Sequence, residues 1–420
     1  MLWSTFNMNG SIPSNFSNTL SYWESGIWNN ALLVFAYQMM LILVLGYILV
    51  LSKPMQILLD MLTYSINTTL KAVIVVSVTT MMMAFFNWGL GLIFGAILVR
   101  KIGESAQKQN LKINYPLIGA AGYIGLMVWH GGISGSAPLK VAEKGHLATM
   151  TSDPVPEFIS TQATIFSSSN LIIFGILLLA MPLLFWVLGR NKKNDKTYIV
   201  EVAGQNENLY TEPEHKFESS KWPAVGFGVL ILIAFTVQYN DDLKVFRLTP
   251  NMLNFLMLGL GFILHGSFLN FLKALNESIG DVSGILIQFP LYFGIMGIMK
   301  DSGLALNIAE FFVSVSSAET LPVFTFFSAG LLNIFVPSGG GQWAIQGPII
   351  LESSAQLGVP LPKMIMAMAY GDQITNMLQP FWALPLLAIT RLKAYQILPY
   401  TIWMFVLGSS IFILGLLFIY

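Results

Sequence analysis

Long apolar stretches without charged side chains, separated by short polar connections, make up most of this chain. No charged residue occurs between Thr320 and Leu351, for example, and about 20 apolar helical residues suffice to cross a hydrocarbon core. The pattern predicts membrane helices over residues 31–50, 72–99, 115–138, 165–189, 222–239, 250–264, 282–299, 304–317, 321–351, 363–390 and 395–420. Residues 54–70 are less apolar, which fits an interfacial helix or a re-entrant arm.

One predicted span contains residues that a regular helix disfavours. The middle of 321–351 reads Val336-Pro337-Ser338-Gly339-Gly340-Gly341-Gln342-Trp343. Proline has no amide donor and glycine favours non-helical conformations, so we expect a break, with the helix restarting at about Gln342. Non-helical chain at membrane depth must line a cavity or be buried in protein. The free amides and carbonyls at such a break can form an ion site without charged side chains.

Composition supports a membrane protein and excludes several other classes. Of the 420 residues, 55% are hydrophobic and 10% charged, whereas soluble domains carry about 25% charged residues. The fold class is therefore an all-α polytopic membrane protein. The net charge is zero, so nothing suggests a nucleic-acid partner, and the absence of cysteine excludes disulfides and thiolate chemistry. Residues 1–30 lack the basic and apolar regions of a signal peptide and are predicted to be a polar N-terminal tail.

The second half of the chain repeats features of the first half. Three residue pairs have the same separation: Asn87 and Asn333, Pro116 and Pro362, and Gly125 and Gly371. Basic loops after residues 99 and 189 are expected on the cytoplasmic side, and counting spans from them orients 31–50 and 282–299 oppositely. We therefore predict two inverted repeats with broken transmembrane helices and a transport site near the bilayer midplane.

The predicted organisation has four parts. They are the polar tail 1–30, a first inverted repeat 31–164, connecting helices 165–280 with a polar loop 190–221, and a second inverted repeat with a C-terminal helix, 281–420.

Four stretches resemble the bacterial short-chain fatty acid transporter family, which takes up acetoacetate and butyrate. They are residues 87–92 (NWGLGL), 129–136 (WHGGISGS), 333–348 (NIFVPSGGGQWAIQGP) and 370–385 (YGDQITNMLQPFWALP). The resemblance implies the ion transporter superfamily fold, in which inverted repeats carry re-entrant hairpins and a transport domain moves against a dimeric scaffold. A homodimer is thus implied. In two respects the chain departs from the family pattern: the family usually begins with an extra membrane helix where a polar tail is predicted here, and His130 stands where glycine or another small residue is expected.

The glycine-rich break is the first candidate for the substrate site. Successive free amides can bind an anion, and a helix N-terminus attracts negative charge. A short-chain carboxylate could contact Ser338, Gly339, Gly340, Gly341 and Gln342. Its acyl tail would need apolar walls, for which Trp343, Phe335, Phe381 and Trp382 are available. The alternative is a kink that allows close helix packing.

The first half offers a second set of candidates. Asn87 could contact the substrate, coordinate a cation or cap the half-helix that follows it. Gly131, Gly132 and Ser134 indicate an unwound segment at the substrate site. His130 within this segment could bind a proton or the carboxylate, or it could simply be packed in the interior.

Asp372 is the only acidic residue in the predicted span 363–390. Ionisable residues within membrane segments are usually functional. Asp372 could carry a proton, or it could coordinate Na⁺ together with oxygen ligands such as Asn376, which is also a substrate-binding candidate. Asn333 is a third coupling-ion candidate beside Asp372 and His130. The alternative is an acid at a helix end that reaches interfacial water.

The broken helices indicate a transporter of a small anion or polar solute, and the resemblance implies secondary active import of short-chain monocarboxylates across the bacterial cytoplasmic membrane, coupled to an H⁺ or Na⁺ gradient. A dicarboxylate or amino-acid carrier of the same architecture is the alternative. A dicarboxylate site would need an extra cation, and no Lys or Arg lies in the cavity segments. An enzyme using Ser338 and His130 would lack a third group to orient the histidine. A channel is the remaining rival. No cofactor is expected apart from Na⁺ as a possible coupling ion, and the partners are the carboxylate and the lipid bilayer.

Overall fold

A computed structural model describes residues 10–151, 154–191, 195–198, 216–244, 249–379 and 382–420. These ranges are mostly helical, and the only β-type pairing within them is an isolated bridge between Ile113 and Lys196. The α-helices are α1 (Ile12–Ile27), α2 (Asn30–Leu51), α3 (Lys53–Tyr64), α4 (Thr69–Phe86), α5 (Trp88–Lys108), α6 (Tyr115–Tyr123), α7 (Ser136–Val141), α8 (Ser168–Gly189), α9 (Lys216–Ser219), α10 (Lys221–Lys244), α11 (Pro250–His265), α12 (Phe268–Asp301), α13 (Leu304–Ser314), α14 (Leu321–Phe335), α15 (Gly339–Leu357), α16 (Leu361–Thr375), α17 (Leu384–Thr390) and α18 (Ala394–Phe418).

The prediction of an all-α polytopic membrane protein is confirmed. Among the described residues, α2, α4, α8, α10 and α18 contain segments long and apolar enough to cross a membrane. Shorter apolar helices, including α11 and α14, add to these. The less apolar stretch 54–70 contains α3, whose Ile57 and Met61 are exposed.

The prediction of a polar tail over residues 1–30 is wrong for the part that the structure describes. Helix α1 packs against α12, and Gly26 makes the closest approach, since a Cβ there would lie 2.9 Å from Gly297 Cα. The small and polar residues Asn15 and Thr19 are buried, whereas apolar residues such as Phe16 are exposed. Polar composition therefore hid a helix that packs on α12, although polar side chains such as Ser17, Asn18 and Glu24 are exposed.

The same order of elements occurs in both halves of the chain. A pair of helices joined by a short break, α4 and α5, is followed by the interrupted helix formed by α6 and α7. In the second half, α14 and α15 are followed by α16 and α17 in the same way. Pro116 and Pro362 are each the second residue of the interrupted helix. The inverted orientation of the two halves stays a prediction.

Two of the sequence pairs do not occupy matching places. Asn87 lies at the break between α4 and α5, but Asn333 lies inside α14. Gly125 belongs to a turn of 3-10 helix, whereas Gly371 lies inside α16. A constant separation in sequence cannot match the two halves throughout, because corresponding elements differ in length.

The two halves contact each other through their interrupted helices. Helix α7 packs on α15, and α17 packs on α5. Each interrupted helix therefore meets the second helix of the opposite pair, which brings both chain breaks to one region. Most of the predicted polar loop 190–221 lies outside the described residues.

Candidate functional site

The first chain break is a single residue, Asn87. Its backbone is extended (φ −151°, ψ 124°), and α5 begins at the next residue. The Oδ1 atom of Asn87 accepts a hydrogen bond from the Leu90 amide at 2.7 Å, and Nδ2 lies 3.3 Å from Met257 Sδ. Of the roles open to Asn87, the structure shows the capping role.

The second chain break comprises Val336, Pro337 and Ser338, and α15 begins at Gly339. The expected restart at Gln342 and the non-helical conformation of the three glycines are therefore wrong. Gly339 to Gly341 form the first helical turn, where amides have no helical acceptor in any case and glycine costs less than in a helix interior. Ser338 caps this turn, since its Oγ accepts from the Gly341 amide at 3.4 Å. The Gly339 and Gly340 amides bond to no described residue.

A narrow cleft lies where the breaks meet. Its walls come from both halves of the chain and from α12. They are Trp88, Leu126, Trp129, Ser136, Phe289, Ser338, Gly339, Asn376 and Trp382. None of these lining residues is charged. Because α5 and α15 both begin at the cleft, their positive ends raise the potential there.

A buried, hydrogen-bonded histidine–aspartate pair, called the ion pair below although the imidazole is neutral, lies beside the cleft. His130 Nδ1 is hydrogen-bonded to Asp372 Oδ2, and both side chains are essentially inaccessible to solvent, at 0% and 1% exposed. The Ala137 amide donates to His130 Nε2 at 3.0 Å, which requires that nitrogen to be unprotonated. The proton of the neutral imidazole then resides on Nδ1, between the ring and the carboxylate. The interfacial-water alternative for Asp372 is wrong.

The ion pair touches the first residue of α15. A Cβ on Gly339 would lie 2.5 Å from His130 Cε1 and 3.1 Å from Asp372 Oδ2. On its other side, the His130 ring stacks on Trp129, with 4.5 Å between ring centroids and an interplanar angle of 18°. The pair therefore contacts two of the residues that line the cleft, and a functional role for His130 stays a prediction.

Asn333 ties α14 to the interrupted helix α16. Its Nδ2 donates to Asp372 O at 2.8 Å, to Thr375 Oγ1 at 2.9 Å and to Asn376 Oδ1 at 3.1 Å. Its Oδ1 is buried and has no hydrogen-bond partner among the described residues, and the same holds for Gln342 Oε1. These bonds position Asn376 at the cleft and connect Asn333 to the backbone of Asp372.

Several predicted substrate contacts lie behind the cleft wall instead of lining it. The Gln342 side chain donates to Ala329 O at 2.7 Å and to Gln346 Oε1 at 2.8 Å, so it links α15 to α14. Ser134 Oγ accepts from the Trp88 amide at 2.9 Å. Both side chains hold the two broken segments in place.

The glycines of the unwound segment 128–135 serve backbone contacts. The Gly131 amide donates to Gln373 Oε1 at 3.2 Å, and the His130 amide donates to the same oxygen at 2.9 Å. A Cβ on Gly132 would lie 2.4 Å from Phe85 O. The segment is thus held against α16 on one side and α4 on the other.

Two of the four predicted apolar walls are placed elsewhere. Trp343 is 1% exposed in a separate cluster and donates from Nε1 to His146 Nε2 at 3.0 Å. Phe335 is 48% exposed on the outside of α14. Trp382 does line the cleft, and Phe381 lies outside the described residues.

The sequence did not single out five of the cleft residues. They are Trp88, Leu126, Trp129, Ser136 and Phe289. Trp88 directly follows the break at Asn87, and Trp129 directly precedes His130 in the unwound segment. Their position next to the breaks could have identified both residues. Phe289 carries no such signal, because α12 is an uninterrupted helix.

Comparisons with known proteins agree over almost the whole chain. A family model described as short chain fatty acid transporter matches residues 8–419. A protein of Escherichia coli (strain K12), named provisionally as a short-chain fatty acid transporter, is 35% identical over 96% of this chain and 90% of its own length. A relative with the same provisional name from Haemophilus influenzae is 34% identical over 95% of this chain and 90% of its own.

One solved structure supports the fold. The crystal structure of the Alcanivorax borkumensis YdaH transporter aligns with a TM-score of 0.52 and 14% sequence identity. The alignment covers 97% of this chain and 90% of that one. At this level of identity the likeness bears on architecture alone.

Proposed function

This chain belongs to the short-chain fatty acid transporter family, and from that membership we propose that it imports short-chain monocarboxylates such as acetoacetate and butyrate across the bacterial cytoplasmic membrane, driven by a proton gradient. The family assignment indicates a multi-pass membrane transporter and not an enzyme. The substrates, the coupling ion and the particular membrane are our proposals. So is a homodimer, for which the only support is the family resemblance.

The observation that carries this proposal is an uncharged aromatic cleft at the N-termini of two half-helices, next to a buried histidine–aspartate pair. Helix N-termini attract anions through their free amides and their dipole. Gly339 at the start of α15 and Ser338 before it line the cleft. Aromatic walls suit a short acyl chain, since small-molecule sites are mostly apolar with a few placed polar groups.

A monocarboxylate fits the cleft better than a dicarboxylate. A second carboxylate would need a cation, and none of the lining residues is charged. Two buried charges of one sign without a partner are strongly unfavourable in a low-dielectric interior. The amino-acid alternative would likewise need an acidic partner for its ammonium group at the cleft itself, where Asp372 is already bonded to His130.

Proton coupling would operate through His130 and Asp372. With the imidazole neutral and the carboxylate ionised, the pair carries one negative charge close to the substrate site. A carboxylate entering the cleft would meet that charge, and a proton taken up by Asp372 would remove the repulsion. Substrate and proton would therefore each favour the binding of the other, which is the thermodynamic requirement for symport.

Sodium coupling is the competing proposal. The buried and unpartnered Asn333 Oδ1 and Gln342 Oε1 are oxygen ligands of the type that hard cations prefer. We favour the proton because Asp372, whose backbone carbonyl accepts from Asn333, is already engaged by His130 and touches the first turn of α15.

Uptake by proteoliposomes tests this proposal. Purified protein would be offered labelled butyrate, acetoacetate, succinate and glutamate, with pH and Na⁺ gradients imposed separately. We expect butyrate and acetoacetate to accumulate when the outside is acidic, without Na⁺. Transport of succinate with no transport of butyrate would refute the monocarboxylate assignment, and accumulation driven only by Na⁺ would refute proton coupling.

A variant at the ion pair separates coupling from substrate binding. Asp372→Asn should abolish accumulation driven by a pH gradient, because the amide cannot take up the proton, while exchange of internal for external butyrate persists. Glu352→Gln is the matched control, since Glu352 is an exposed acid on α15. Gradient-driven accumulation by Asp372→Asn equal to that of the control would contradict the role of the pair.

A further inference from the structure

Two buried tryptophans at the cleft have indole donors without acceptors. Trp88 is 4% exposed and Trp129 is 8% exposed, and both line the cleft. The Nε1 atom of each is buried and has no hydrogen-bond partner among the described residues. By contrast, the buried indole of Trp343 donates to His146 Nε2 at 3.0 Å. Buried polar groups are nearly always paired, so an unpaired donor at a binding cleft calls for an explanation.

The two indoles lie next to each other at the positive end of a helix. Their ring centroids are 6.2 Å apart, with an interplanar angle of 61°. Trp88 is the first residue of α5, and Ser134 Oγ holds its backbone amide at 2.9 Å. Trp129 is held by stacking on His130. Each ring therefore has a fixed position, which keeps the entropy cost of ordering the two donors low.

The other side of the cleft is apolar. Trp382 lies edge-on to Trp88 with 5.4 Å between ring centroids, and Phe289 lies 6.2 Å from Trp382. A ligand that satisfies both sides must carry a strong hydrogen-bond acceptor at one end and hydrocarbon at the other. A short fatty acid anion has this structure, and an indole N–H is a donor only, so it cannot bond a substrate cation.

We propose that Trp88 and Trp129 bind the substrate carboxylate through their indole N–H groups, while the acyl chain packs against Trp382 and Phe289. This inference rests on the proposed function, since it names the groups that recognise a monocarboxylate at the same cleft. It also connects recognition to the ion pair. Trp129 would bond the carboxylate with its N–H edge and contact His130 with its ring face, so substrate binding would reach Asp372 through Trp129 and His130.

The test measures equilibrium binding of labelled butyrate to the purified full-length protein. Trp88→Phe and Trp129→Phe retain an aromatic ring but remove the donor, and each should weaken binding about tenfold or more, the effect of losing a hydrogen bond to a charged group. Trp403→Phe is the matched control, because Trp403 lies exposed on α18, away from the cleft. It should bind butyrate as the unaltered protein does.

A second replacement separates the lost donor from the lost ring volume. Incorporation of 3-benzothienylalanine at position 88 or 129 keeps the bicyclic ring and substitutes sulfur for the N–H group. We expect the same loss of affinity as with phenylalanine. Affinity restored to that of the unaltered protein would mean that ring volume, and not hydrogen bonding, recognises the substrate, and would overturn the inference.

The outcomes distinguish this inference from the proposed function. If the unaltered protein binds no short-chain monocarboxylate, the proposed function fails and this inference fails with it. If it binds butyrate and both phenylalanine variants bind it equally well, only the inference fails. A thermal-unfolding midpoint close to that of Trp403→Phe shows that a variant is folded, and the sulfur analogue decides the question should a phenylalanine variant unfold.

Discussion

Replacing Gly339 with alanine should disable transport while leaving the protein folded. The new Cβ would lie 2.5 Å from His130 Cε1 and 3.0 Å from Trp129 Cη2. Ordinary van der Waals contacts begin at 3.4 Å, so the imidazole must move by roughly 1 Å. That displacement disrupts the bond between His130 and Asp372, because hydrogen bonds weaken steeply once the donor and acceptor move apart or lose alignment.

The expected magnitudes separate function from stability. Overpacking costs about 1–3 kcal/mol of unfolding free energy. Alanine offsets little of this cost, because Gly339 is the first residue of α15 and not an interior residue. Uptake should be lost altogether, because the proposed proton coupling depends on the bond between His130 and Asp372.

Gly341→Ala is the matched control in the same helical turn. Its Cβ would meet Met296 at Cε, 2.4 Å away, and at Sδ, 2.7 Å away. These atoms are the end of a flexible side chain that can rotate out of the way, so the cost should be small. The assay is butyrate uptake by proteoliposomes under an imposed pH gradient, together with the thermal-unfolding midpoint. Equal uptake by Gly339→Ala and Gly341→Ala would refute the reasoning.

Two further predictions concern stability away from the cleft. Burial lowers the pKa of His146, helped by the positive charge of Lys140. The neutral form is therefore favoured in the folded protein, and this stabilisation is complete above pH 6.5 and is lost as the pH falls through the lowered pKa. The unfolding temperature should drop between about pH 7.5 and about pH 5.5, and less so in His146→Gln, which keeps an acceptor for Trp343; an identical drop in the variant would exclude His146 as the cause. Gly26→Leu should detach α1 from α12, because the side chain would collide with Gly297, and faster proteolysis of the N-terminal segment would detect it; unchanged cleavage would contradict the close packing.

The fold class could be predicted from the sequence, because a chain inside lipid must be apolar outside and must pair its own backbone groups. Uncharged stretches of sufficient length predict spans, and a proline next to glycines within such a stretch predicts an interruption. The interruption at Ser338 and the one at Asn87 were therefore found. The exact helix start was not, because glycine is tolerated in the first turn of a helix as well as in a bend, and local sequence does not separate the two.

Contacts between distant parts of the chain were beyond the sequence. His130 and Asp372 were each recognised as candidates, because ionisable groups are costly in lipid. That they form one pair depends on how the two interrupted helices dock, which no local pattern encodes. The same limit applies to Phe289, which reaches the cleft from an unbroken helix. For α1 the error was of another kind, since a mostly polar segment forms a helix that packs on α12 through Gly26, Trp23 and Ile27.

The cleft is shared among segments that are far apart along the chain: the start of α5, the end of the turn at Leu126, the middle of α12, and the start of α15. No continuous fragment of the polypeptide contains a complete set of walls. A molecule seated there would bridge all of these segments at once and act as a cross-link between the two halves. If one half moved against the other, these walls would separate and the bound molecule would lose the contacts on one side.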